Sequence, residues 1–159
     1  MEFEVNNIEE IVELIMKKMT ESNISTSNNS KNGVFENVDE AIAEAKKAQT
    51  VLFSSKLELR ERIIASIRDT LKTHITELSE LAVKETGMGR VADKEIKNKI
   101  AIEKTPGLED LKAFAFSGDD GLTVMELSPY GVIGAITPST NPSETVICNS
   151  IGMIAAGNA

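Results

Sequence analysis

Residues 131–136 read Gly-Val-Ile-Gly-Ala-Ile, a short and almost wholly apolar run. A strand of that composition belongs where both of its faces are covered, as in a parallel sheet flanked by helices. A polar loop follows, Thr137-Pro-Ser-Thr-Asn-Pro142. Ser143 to Ala156 then has helical spacing, with Val146, Ile147, Ile151, Ile154 and Ala155 inward. Strand, loop and helix make half of a βαβ crossover, so the chain is predicted to be α/β.

The sequence before this unit is mostly helical in pattern. Val38, Ala41, Ile42, Ala45, Ala48 and Leu52 share one face of a first body helix. A long helix is predicted from Leu57 to Glu85, with Ile63, Ile64, Ile67, Leu71, Ile75, Leu78 and Ala82 as its stripe. Gly87 and Gly89 end it, as glycines at helix C-termini do. A third helix covers Asp93 to Glu103. Pro106-Gly107 breaks it, and Leu108 to Phe116 is expected to resume it. Gly118-Asp-Asp-Gly121 is a turn, and Leu122 to Leu127 alternates like a strand. His74, among Lys72, Thr73 and Thr76, reads as a solvated helix residue.

The N-terminal stretch has a different texture. Ile8, Ile11, Val12, Ile15, Met16 and Met19 share one arc of a helical wheel, and Glu9, Glu10, Glu13 and Lys17 take the other side. Asn6 and Asn7 are candidate N-caps. Residues 20–34 are polar and rich in Ser, Asn and Thr, the composition of a flexible linker. A helix as short as 8–19 is marginal alone in water. It either packs back on its own body or docks on another protein, and the linker favours docking. Its polar face is not rich in Lys and Arg, which disfavours a membrane surface.

The 159 residues suit one domain. Acidic residues number 25 against 17 basic ones, a net charge of −8 that repels phosphate backbones and disfavours nucleic acid as a partner. No apolar run is long enough for a transmembrane helix. The acidic start Met1-Glu-Phe-Glu-Val is unlike a secretory leader, so a cytoplasmic location is expected. Cys148 is the single cysteine and His74 the single histidine, too few for a Ser-His-Asp triad with partners or a zinc site; no metal is expected.

The loop after the apolar run is the candidate site. In open α/β sheets ligands bind at the carboxyl ends of the strands. Thr137, Ser139, Thr140 and Asn141 offer hydroxyls and an amide there, and free N–H groups at a helix start favour anions. The same residues also serve a plain tight turn, with Asn141 or Ser143 as N-cap.

Pro129-Tyr-Gly-Val-Ile-Gly-Ala-Ile-Thr-Pro-Ser-Thr-Asn-Pro142 and Asn149-Ser-Ile-Gly-Met-Ile-Ala-Ala-Gly-Asn158 resemble the aldehyde dehydrogenase superfamily. The branch is that of the CoA-acylating enzymes of bacterial microcompartments, of propionaldehyde and acetaldehyde type. Glu85-Thr-Gly-Met-Gly-Arg90, Lys104-Thr-Pro-Gly-Leu-Glu-Asp-Leu111 and Ser117-Gly-Asp-Asp-Gly-Leu122 resemble that branch too. The resemblance covers residues 35–159. It implies the N-terminal part of the aldehyde dehydrogenase fold, helices followed by the start of a Rossmann-like parallel sheet. Residues 35–159 are then an incomplete NAD-binding domain.

The resemblance also implies a reaction. A cysteine thiolate attacks a short-chain aldehyde, hydride passes to NAD, and the thioester is passed to coenzyme A. The superfamily carries an oxyanion-donating Asn in a Pro-x-Asn-x-Pro loop. Here the loop is Pro138-Ser-Thr-Asn-Pro142, with the Asn one place later. An ungapped match puts Thr140 at the donor position; a loop adjustment brings in Asn141, which is preferred. Ile136, Thr137, Pro138 and Ser139 match the segment beside the nicotinamide ribose. In the branch a short N-terminal helix on a linker directs the enzyme to a shell protein, here residues 8–19. A homo-oligomer is implied for the longer enzyme, with Leu122 to Leu127 pairing between subunits.

Members of the family are longer, and their catalytic cysteine lies beyond position 159. Cys148, inside the helix after the loop, is expected to be an inert small hydrophobe. The chain is therefore expected to be an N-terminal piece without activity of its own. Two other readings remain: a non-catalytic adaptor for a shell, and an aldehyde dehydrogenase that hydrolyses its thioester.

Overall fold

The computed structural model describes residues 33–159. The docking helix predicted at 8–19 and all but the end of the linker at 20–34 lie outside the described residues. Helix α1, Val38–Ser54, begins where Asn37 Oδ1 accepts the Asp39 N–H at 2.7 Å, with Asp39 and Glu40 in its first turn. Its predicted stripe is only partly covered, and no residue of the helix is buried.

The long helix expected over Leu57–Glu85 is two helices, α2 (Leu57–Thr73) and α3 (Ile75–Thr86). His74 separates them at φ −111° and ψ 10°, outside helical values. Its N–H reaches Leu71 O at 3.0 Å, and Thr73 Oγ1 donates to Thr70 O at 2.7 Å. These i to i+3 bonds tighten the last turn of α2 and end the regular ladder. His74 itself is exposed, as expected, with Nδ1 2.8 Å from Glu77 Oε2. Gly87 closes α3 at φ 66°, the left-handed cap predicted for it.

Helix α4 runs Val91–Lys104, and its buried residues are Lys94, Asn98, Ala101 and Ile102. That spacing is a helical stripe whose N-terminal half is polar. The expected helix over 108–116 does not form. Leu108–Asp110 is one 3-10 turn, and Phe114–Gly118 is strand β1, antiparallel to β2 (Gly121–Met125). Phe114 and Phe116 alternate with small residues, a strand pattern, and Asp119-Asp120 closes the hairpin. Both strands are exposed along their whole length.

Helix α5, Pro142–Ala155, packs against α2 and α4. Ile64, Ala101, Ile102, Ile147, Ile151 and Ala155 form the buried cluster, flanked by Ile67, Leu71, Ile75 and Leu108. Each isoleucine of the cluster contributes about 1.5–3 kcal/mol on burial. Val146, expected inward, is 54% exposed; α5 directs Ile147 rather than its neighbour into the cluster.

At the end of α5, Gly157 N–H bonds Ile154 O and Asn158 N–H bonds Met153 O, a Schellman motif with Gly157 at φ 80°. Beyond it Ala159 N–H donates to Gly131 O at 3.0 Å, and Ile133 N–H donates to Ala159 O at 2.7 Å. These are the two slanted bonds of one parallel bridge. Asn158, 4% exposed, adds a bond from Gly131 N–H to its Oδ1 at 2.9 Å. Residues 131–136, expected as a buried strand, form no regular strand: these two bonds to Ala159 are its only ladder pairing among the described residues, and Ile136 is 97% exposed. Among the described residues nothing covers it, since the pairing spans a single bridge.

Candidate active-site loop

The loop leaves the parallel bridge and enters α5 at Pro142. Proline suits the first helical position because it has no N–H to leave unpaired. Asn141 is the N-cap residue, yet its side chain makes no cap bond; its carbonyl accepts Thr145 N–H at 3.2 Å and Thr145 Oγ1 at 2.7 Å. Ile136, Thr137, Pro138, Ser139 and Thr140 are exposed. Thr137 also lines a cleft of about 360 Å³ with Leu71, Leu78, Ala82, Pro142 and Ile147.

Two lysines of α4 grip the end of this loop. Lys94, 3% exposed, donates from Nζ to Thr140 O. Lys97 Nζ donates to Asn141 Oδ1 at 3.1 Å. The Lys94 ammonium is paired with Glu144 in the first turn of α5, whose buried Oε1 lies 3.7 Å away and makes no hydrogen bond, so the pairing offsets only part of the cost of burial. Ser143 Oγ donates to Glu144 Oε2 at 3.2 Å. One turn along α4, Asn98 Nδ2 donates to Ser79 Oγ at 3.0 Å, both side chains fully buried. The start of α5 therefore already holds a carboxylate of the chain's own, which competes with any outside anion there.

Charges at both ends of α4 shape its surroundings. Arg90 Nε donates to Asp93 Oδ2 at 2.7 Å, which lowers the Asp93 carboxyl below its ordinary range and raises the Arg90 guanidinium. Glu109 is lowered by its own backbone N–H and by that of Gly107.

The candidates from sequence are thus brought together in part. Thr140 and Asn141 sit side by side on the lysine grip, while Ile136 to Ser139 form the free run before them. The Thr140 hydroxyl makes no hydrogen bond among the described residues. Cys148 is half-buried on α5, with Sγ 3.1 Å from Thr105 Oγ1, whose own proton goes to Ala101 O at 2.6 Å. It lines a cleft of about 480 Å³ with Lys97, Ala101, Asn141 and Glu144. Lys94, Lys97 and Glu144 escape the sequence reading. The signal for Lys94 is present: it lies on the same helical stripe as Asn98, Ala101 and Ile102.

In open α/β sheets a strand, a polar loop and a helix in this order bind ligands at the carboxyl end of the strand. The chain belongs to the aldehyde dehydrogenase family, whose profile matches residues 8–159. It is 46% identical over 153 residues to acetaldehyde dehydrogenase (acetylating) EutE of Salmonella typhimurium, covering 96% of this chain and 32% of the relative. It is 48% identical over 128 residues to propanal dehydrogenase (CoA-propanoylating) of Citrobacter freundii, covering 80% and 28%. Among solved structures it resembles propionaldehyde dehydrogenase from the Clostridium phytofermentans fucose utilisation bacterial microcompartment, with 52% identity and a TM-score of 0.78 over 81% of this chain and 30% of that one. Rhodopseudomonas palustris propionaldehyde dehydrogenase, solved with bound CoA and an acylated cysteine, matches with the same identity and TM-score over 82% and 30%. The chain spans about a third of the length of the curated relatives it matches.

Proposed function

We propose that this chain is the N-terminal, cofactor-side part of an enzyme that oxidises acetaldehyde or propionaldehyde to the acyl-CoA, with NAD as oxidant. The observation that carries the reading is the 46–48% identity to acylating enzymes over 80–96% of the chain. The nucleophilic cysteine lies outside these residues, and Cys148 plays no part in the chemistry.

NAD held at the loop would supply the acceptor for the hydride that leaves the carbonyl carbon once a thiolate has added to it. Ile136, Thr137, Pro138 and Ser139 are the residues that would hold its nicotinamide ribose. They fit that role, since the run is exposed and Thr137 and Ser139 bring hydroxyls to it. Addition of a thiolate to the aldehyde forms a carbon–sulfur bond and moves the carbonyl π pair onto oxygen. The Asn141 amide is the donor for that oxygen, with the Thr140 hydroxyl as the alternative; such a donor is worth about 10²–10³ in rate. Loss of hydride from that carbon lets the oxygen's electron pair re-form the carbonyl as a thioester, and attack by the CoA thiol then expels the cysteine thiolate and releases the acyl-CoA.

Residues 8–19 dock on a shell protein, and the enzyme works inside a bacterial microcompartment in the cytoplasm as a homo-oligomer in which Leu122 to Leu127 pair between subunits. The microcompartment origin of a 52%-identical solved structure supports the location alone.

The test is NADH formation by the enzyme that carries this chain, with each aldehyde, with and without CoA. CoA-dependent NADH is expected, and none from the 159 residues alone. Free acid formed without CoA would point to the hydrolytic enzyme instead. Deleting residues 1–19 should leave turnover intact and abolish encapsulation; an encapsulated protein with no turnover at all would favour the adaptor.

A further inference from the structure

We propose that Lys94 and Lys97 are positioning residues for the oxyanion donor, Lys94 fixing the peptide at Thr140 and Lys97 orienting the Asn141 amide. The proposal rests on the reading that Asn141 is that donor.

A carboxamide offers an acceptor at one end and two donors at the other, and only the donor end stabilises an oxyanion. Lysine has donors and no acceptor. The atom of Asn141 that meets Lys97 Nζ at 3.1 Å is therefore its oxygen, and both N–H groups of Nδ2 are left to donate elsewhere.

Lys97 also settles a competition. Asn at an N-cap ordinarily turns its oxygen onto the N–H groups of the first helical turn. Asn141 holds the N-cap position of α5 and makes no such bond. Its oxygen is taken by α4 instead, so the amide is drawn off the helix end.

Lys94 acts one residue earlier and on the backbone. Its side chain is 3% exposed, bonds Thr140 O and is balanced by Glu144 at 3.7 Å. A buried and paired cation does not wander, so the peptide leading into Asn141 is held to α4. Lys94 and Lys97 are one helical turn apart, and the residues they hold are adjacent in sequence.

The experiment uses the complete enzyme that carries this chain, with variants Lys97→Met, Lys97→Arg, Asn141→Ala and the double Lys97→Met/Asn141→Ala. Lys97→Met should lower kcat about tenfold or more, as lost outer-shell partners do, with little change in KM for aldehyde or CoA. Its thermal stability should hold or rise, because Asn141 is released to cap α5. Lys97→Arg should recover most of the rate, and the double variant should match Asn141→Ala alone. Wild-type kcat in Lys97→Met beside an impaired Asn141→Ala overturns the role of Lys97 and leaves the donor reading standing. Wild-type kcat in Asn141→Ala overturns the donor reading and this inference with it. Losses that add in the double variant show that Lys97 acts through something other than Asn141. Losing Lys94 alone risks the fold, so its part is read in Lys94→Met/Glu144→Leu, which removes both charges. A folded double variant with lowered kcat and unchanged KM supports the backbone role; one with wild-type kcat overturns it.

Discussion

Lys94 Nζ stands 3.7 Å from Glu144 Oε1, with side-chain exposures of 3% and 11%. The pair joins α4 to the first turn of α5 directly beneath the loop. Removing one member leaves the other charge buried and unpaired, at a cost of about 3–5 kcal/mol, whereas removing both together is often close to neutral. Lys94→Met is therefore expected to shift urea unfolding strongly, and Lys94→Met/Glu144→Leu much less. Two single losses that simply add in the double variant would show that the charges do not support one another.

Cys148 offers a different test. Its Sγ lies 3.1 Å from Thr105 Oγ1 and packs against the α2–α4–α5 cluster, the setting of a small hydrophobe. Lys97 lines the same cleft, so a reactive role is a chemical alternative that activity can exclude. Cys148→Ala in the complete enzyme is expected to keep aldehyde oxidation within about twofold, as for an inert core thiol. Loss of turnover in a folded Cys148→Ala protein would move the nucleophile into this chain.

The helical stripe running from Ile64 to Ala82 and the hairpin turn at Gly118–Gly121 are legible in the sequence, because spacing and turn residues carry them. The break at His74 is not, because it depends on one residue's dihedrals while the apolar stripe continues across it. Phe114 and Phe116 read as the tail of a helix until their pairing with Met125 and Thr123 is in view. Thr140 and Asn141 are legible as polar groups between an apolar run and a helix. What holds them is not: Lys94 reaches Thr140 across 46 residues, and no local pattern reports a contact of that span.

Acid stability follows from two carboxylates. The hydrogen bond from Arg90 lowers Asp93, and backbone N–H groups, its own and that of Gly107, lower Glu109. A carboxyl lowered by folding stabilises the folded state above its unfolded pKa, and that contribution fades as pH falls through the folded value. Both terms should therefore be present at neutral pH and be lost below about pH 4, the ordinary carboxylate range. Asp93→Asn and Glu109→Gln are expected to make thermal stability less steep on the acid side and to leave its shape above neutrality unchanged. An acid limb as steep as that of the unaltered protein in both variants would show that these bonds carry no linkage.

Gly87 and Gly157 both close helices in the left-handed region, at φ 66° and 80°. They differ in what surrounds them. A Cβ on Gly87 would meet nothing within 4 Å, whereas one on Gly157 would lie 2.9 Å from the Arg60 guanidinium. Gly87→Ala should thus cost only the conformational penalty of a left-handed L-residue, about 1–2 kcal/mol. Gly157→Ala should cost more, because Arg60 is itself buried and donates to Ala155 O at 3.3 Å. The displaced guanidinium would lose that bond, and the cap that leads Asn158 and Ala159 to Gly131 would shift with it. Urea unfolding of the two variants should rank Gly157→Ala as clearly the less stable. Amide exchange at Gly131 and Ile133 should quicken in that variant alone. Equal losses, with those two amides still protected, would mean that Arg60 yields freely and that the end of α5 does not anchor the parallel bridge.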